Sequence, residues 1–154
     1  MKGLYPIAQF LLRCALGIGF LLPVLDRLGY FGAAGSEHVA WGDWPSFVAY
    51  THQLMPYLGV QVASFFGFIA TCLEVLFGIL LLAGYKTRLM ALGSSGLTLV
   101  FALSMLLFLH FRAPFNYSVF VVSFSGLLLA SGSRFPWSID AYLERSRKNP
   151  RANE

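Results

Sequence analysis

Charge is scarce in this chain. Of its 154 residues 12% are Asp, Glu, Lys or Arg while 57% are apolar, against roughly 25% charged residues in soluble domains. Cysteine is limited to Cys14 and Cys72, and histidine to His38, His52 and His110. No CxxC, CxxCH or glycine-rich dinucleotide loop occurs. The motifs that mark thiolate metal sites, attached haem and Rossmann cofactors are therefore missing. What fills the space instead is four long apolar runs, at about 3–25, 57–84, 89–111 and 113–132, each reaching the roughly 20 residues that a bilayer core of about 30 Å demands.

These runs predict an all-α protein: an integral membrane, antiparallel four-helix bundle forming a single domain over 1–154, with an additional short amphipathic helix in an outer loop and a basic tail at 133–154. The first run is longer than the h-region of a signal peptide, carries Arg13 internally and continues into Asp26-Arg27 without a cleavage site, so it reads as a retained helix. The net charge of +4 points to topology rather than to nucleic acid. Lys2, Lys86, Arg88, Arg134, Arg145, Arg147, Lys148 and Arg151 fall on one side, and Arg27 and Arg112 on the other. The positive-inside rule then makes both termini cytoplasmic.

Arg13 and Glu74 are each the only charge in their run. An ionised group deep in a bilayer faces the bundle interior and finds a partner there. At ~1.5 Å rise per residue, both lie about 15 Å from the inner ends of their helices, which suggests that they pair. Gln9, Arg13 and Gly17 share one helical face, as do Gly67, Thr71, Glu74 and Gly78, and such small and polar stripes let helices approach in lipid. An echo links Arg13-x-x-Leu16-Gly17-Ile18 to Glu74-x-x-Phe77-Gly78-Ile79. Two roles stay open for the pair: a structural ion pair that sets register, and direct handling of a ligand or proton.

Ser94, Thr98, Ala102 and Met105 form a third stripe, and Asn116, Ser123, Gly126 and Ala130 a fourth, with the hydroxyls expected to bond within their own helices. Cys14 and Cys72 are expected to be buried free thiols. His110 and Arg112 mark the outer end of the third helix. In the outer loop, 26–56, Asp43-Trp44-Pro45 has the form of a helix start. A helix from Pro45 to Met55 should place Phe47, Thr51, Leu54, Met55 and Leu58 on one side. Trp41, Trp44, Tyr50 and Tyr57 are of the types that favour lipid headgroups. This helix would roof the bundle, either as an anchored lid or as a gate over an amphipathic ligand, with His52 offering a proton or hydrogen bond.

Further elements are Arg13-x-x-Leu16-Gly17, Asp26-Arg27-Leu28-Gly29, Val39-Ala40-Trp41-Gly42-Asp43-Trp44, Phe47-x-x-Tyr50-Thr51, Glu74-x-x-x-Gly78, Gly84-Tyr85-Lys86-Thr87-Arg88, Asn116-Tyr117-Ser118-Val119-Phe120 and Trp137-Ser138-Ile139-Asp140. Together they resemble the DoxX family of small four-helix bacterial membrane proteins over nearly the whole chain. The resemblance implies residence in the bacterial inner membrane. Because similar proteins include a subunit of a thiosulfate:quinone oxidoreductase, it also implies a membrane subunit of a quinone- or thiol-linked redox system. On that reading quinone is the ligand, Arg13 orients its ring, Glu74 handles protons and a soluble or membrane partner supplies electrons. Trp41, Trp44, His52, Asn116 and Tyr117 are the candidate ligand contacts. The alternative is a non-catalytic membrane partner that binds lipid or assists assembly of another protein, with Arg13–Glu74 as structural glue. Neither a metal nor nucleic acid is expected.

Overall fold

A computed structural model describes residues 3–148. Lys2 and Arg151, counted above among the inner cations, lie outside the described residues, as does the end of the 133–154 tail. Among the described residues there are seven α-helices, one π turn and no strand. Helix α1 (Leu4–Arg27), α3 (Val60–Ala83) and α4 (Thr87–Ser104, extended by the π turn Met105–Leu109) are long and apolar enough to cross a membrane. Their outward faces carry exposed Leu11, Ile18, Phe65, Phe68, Ile79 and Leu107. Such faces suit contact with lipid.

The expected fourth span, 113–132, is broken. It consists of α5 (Ala113–Asn116) and α6 (Val119–Ala130), separated at Tyr117–Ser118, where Ser118 adopts φ +54°. At ~1.5 Å per residue α6 alone covers about 18 Å, well short of a bilayer core. The break also removes Asn116 from the stripe expected with Ser123, Gly126 and Ala130. Asn116 sits exposed at the end of α5, whereas the other three are buried.

Helix α1 packs on α3, α3 on α4, α4 on α6, and α6 returns to α1. Close approach is bought with glycine: a Cβ on Gly17 would come 3.0 Å from the carbonyl of Gly78, and one on Gly78 would come 3.1 Å from the carbonyl of Gly17. The two echoed segments thus meet at their glycines. Between α4 and α6 Ser94 and Thr98 keep to the expectation of bonds within their own helix, and Ser123 departs from it. Ser95 and Ser123 donate reciprocally across the interface, Oγ to carbonyl, at 2.7 and 2.8 Å.

The short helix expected between the first two long ones is present: α2 (Trp44–Leu54) has Pro45 in its first turn, and Asp43 accepts a 2.8 Å bond from the Ser46 amide. This bond holds the Asp43 carboxyl below its ordinary range. A strap at 132–138 runs back beneath α1 and leads into α7 (Ile139–Lys148), where Asp140 caps α4 by accepting bonds from the Lys86 and Thr87 amides, each at 2.8 Å. Cys14 and Cys72 are free, and Cys72 is exposed rather than buried.

Candidate functional site

Glu74 pairs with Arg27, not with Arg13. Arg27 Nη2 lies 2.8 Å from Glu74 Oε2, and both side chains are buried. The expected Arg13–Glu74 pair fails for two physical reasons. With Gly17 level with Gly78, Glu74 comes level with Leu21, so Arg13 starts ~12 Å toward one end and Arg27 ~9 Å toward the other. Side chains on a helix also lean toward its N-terminus. Arg13 therefore leans away from Glu74, while Arg27 leans back toward it and Glu74 leans up to meet it.

The segment that follows α1 completes this centre. Arg27 donates to the Pro23 carbonyl at 3.0 Å and to Thr71 Oγ1 at 2.7 Å, and its guanidinium lies 3.9 Å from the Phe47 ring centroid and 5.2 Å from that of Trp41. Stacking of this kind stabilises a desolvated cation. The neighbouring Asp26 accepts the amides of Ala40 and Trp41 at 3.2 and 2.8 Å, which brings the Trp41 ring over Arg27. Asp26 thus fastens the loop between α1 and α2 to the end of α1, and Arg27 joins α1 to α3.

Arg13 serves the opposite end. It is 1% exposed, and its Nη1 and Nη2 donate to the carbonyls of Pro136 and Trp137 at 3.4 and 2.6 Å, while Gln9 donates to the carbonyl of Arg134 at 2.6 Å. Gly84, at φ +67°, ends α3 where Arg13 passes, and a Cβ there would come 2.8 Å from Arg13 Nη1. Arg13 is thus a clamp on the strap.

Between α1 and α6 lies a partly open cavity of about 360 Å³. Its walls are apolar, from Leu12, Leu16, Phe20 and Val122 among others, and its polar groups are Glu74, Thr98, Tyr117 and Ser125. Glu74 Oε2 is buried and, despite the nearby guanidinium, has no aligned hydrogen-bond donor. Gly19 and Pro23 also line the cavity. Proline has no amide hydrogen to give, so the Gly19 carbonyl lacks its usual helical donor four residues on.

The candidate ligand contacts are scattered. Tyr117 lines this groove. Trp44 and His52 line a separate open hollow of about 700 Å³ between α2 and α3, and a ring nitrogen of His52 lies 2.9 Å from the Leu58 carbonyl. Trp41 packs on Arg27, and Asn116 is exposed. Tyr50, beside Trp41, is half-buried, which pushes its phenol pKa up. Arg27 was the residue that sequence reasoning passed over. Its signal was present: Arg13, Gly17, Phe20, Val24 and Arg27 continue one helical stripe past the end of the apolar run, and all five are buried.

A family model, DoxX, matches residues 8–110. The chain belongs to the DoxX family. No curated protein and no solved structure matches it. The DoxX match covers α1 to the π turn and so includes Arg13, Arg27, Trp41 and Glu74. Family membership and the three apolar helices together point to a membrane protein.

Proposed function

We propose that this DoxX protein resides in the bacterial inner membrane with both termini cytoplasmic, and binds a lipid-soluble amphipathic ligand in the lateral groove between α1 and α6. Support for the orientation comes from the cations. Lys86, Arg88, Arg134, Arg145, Arg147 and Lys148 gather at the end where the strap meets α1, as the positive-inside rule requires of a cytoplasmic side. In this reading α1, α3, the α4–π unit and the broken α5–α6 segment form the four-stretch bundle.

The observation that carries the ligand reading is the buried Glu74 carboxylate among the lining of an otherwise mostly apolar, partly open groove between α1 and α6. Ligand sites commonly combine apolar walls with a few convergent polar groups. A quinone or quinol suits this one. Its tail can stay in lipid, a ring hydroxyl can donate to Glu74 or to the Gly19 carbonyl, and the Tyr117 hydroxyl can donate to a ring carbonyl. Glu74 would then exchange protons with the ring, as membrane carboxylates in proton paths do, with electrons supplied by a redox partner. A binding-only role, as a lipid-binding or assembly partner, is favoured by one observation: all three guanidinium nitrogens of Arg27 already contact groups of the protein itself, Pro23, Thr71 and Glu74.

The test exploits two glycines. A Cβ on Gly19 or on Gly96 would meet nothing within 4 Å, but only Gly19 lines the groove. Gly19→Leu should leave the fold intact and lower the affinity for a fluorescent quinone analogue at least about tenfold, roughly the 1.4 kcal/mol equivalent in binding free energy. Gly96→Leu should bind as the parent does. Equal binding by both variants, or none by the parent, would favour the binding-only role.

A further inference from the structure

We infer that α7 is a membrane-surface helix that docks on anionic phospholipid; the inference rests on the membrane placement proposed above. Helix α7 buries no residue against the rest of the protein. Its position is nonetheless set. The Asp140 amide donates to the Gly84 carbonyl at 3.0 Å, and the Asp140 carboxylate caps α4. The first turn of α7 is therefore held level with the inner ends of α3 and α4, at the depth where a bilayer meets water. Ser138 caps this turn by accepting the Ala141 amide at 3.0 Å. Upstream, Gln9 and Arg13 grip the strap, and the Trp137 ring packs edge-on against Phe10 at 5.7 Å between centroids.

The faces of α7 fit that location. At ~100° per residue Ile139, Tyr142, Leu143 and Ser146 fall within one sector, and the three large side chains among them are exposed. Arg145 and Arg147 fall on opposite flanks of this sector. Asp140, which faces the bundle, lies ~110° from its centre, so the apolar sector looks sideways past the protein. Opposite, Glu144 and Lys148 form an i,i+4 pair, which holds the Glu144 carboxyl below its ordinary range. An apolar sector flanked by arginines is the pattern of a helix lying in the interface. Charge selects the lipid. Exposed Lys86, Arg88, Arg134, Arg145, Arg147 and Lys148 surround this end, and each cation near an anionic surface adds a favourable increment.

The test uses the full chain in nanodiscs, with Cys14→Ala and Cys72→Ala and a polarity-sensitive fluorophore on Tyr142→Cys. Phosphatidylglycerol-containing discs should blue-shift the probe and shield it from aqueous iodide, whereas discs of phosphatidylcholine alone should not. Arg145→Glu with Arg147→Glu should lower the docking equilibrium constant roughly thirty-fold or more, the equivalent of two cation increments. High salt should weaken docking as well. A probe equally exposed to iodide in both lipids, or shielding untouched by charge reversal, overturns the inference while leaving the groove intact. Shielding lost on adding an RNA or acidic-protein competitor, with lipid absent from the probe's surroundings, overturns it too. Failure to enter either disc overturns the membrane placement and this inference with it.

Discussion

The Arg27–Glu74 pair makes a quantitative prediction that separates it from the neighbouring arginine. Glu74→Gln preserves shape but strips the counter-charge from a guanidinium that is 2% exposed. Leaving one buried charge unpaired costs about 3–5 kcal/mol. At ~2–4 °C per kcal/mol the melting temperature should fall by roughly 6–20 °C. Arg27→Met should cost at least as much, because it also removes the contacts with Phe47, Trp41 and Thr71. In the double variant neither charge is stranded, so the two losses should fall short of additive by about 2–3 kcal/mol. Arg13 provides the control: its guanidinium bonds to the Pro136 and Trp137 carbonyls, and Arg13→Met with Glu74→Gln should be additive within about 0.5 kcal/mol. Thermal melts of all five variants in one detergent complete both cycles. Coupling of Glu74 to Arg13 but not to Arg27 would refute the helix register on which the site is built.

Further outcomes follow from single contacts. Gly17→Ala would set a Cβ 2.7 Å from Leu82 Cγ and 3.0 Å from the Gly78 carbonyl, and should cost about 1–3 kcal/mol in melts as α1 and α3 are pushed apart. Asp140→Ala removes the acceptor for the Lys86 and Thr87 amides; it should cost about 1 kcal/mol and make the 132–138 strap more sensitive to protease. At Asp43 the Ser46 bond lowers the folded pKa below 3.8. The cap therefore contributes fully above that value and fades as pH falls through the lower folded one. Amide exchange at Ser46 and Phe47, corrected for intrinsic rates, should rise in that acid window, and Asp43→Asn should remove the rise.

Much of the fold was legible in the chain itself, because lipid-length apolar runs and helical stripes are local properties. The segments of α1, α3 and α4, the start of α2 at Asp43-Trp44-Pro45, and the inward faces through Gly17, Glu74 and Thr98 all follow from spacing alone. The break at Tyr117–Ser118 did not, since residues 113–132 form an apolar run of spanning length that hides a backbone turn. Partner choice is a matter of tertiary structure. Two arginines on one stripe of α1 were available to Glu74, and residue counting from the helix ends favoured Arg13. Contact between Gly17 and Gly78 sets a different level, and the lean of side chains toward each helix N-terminus sends Arg13 to the strap and Arg27 to the carboxylate. Local sequence specifies which residues face inward, but the meeting of two helices at their smallest residues decides which charges can touch.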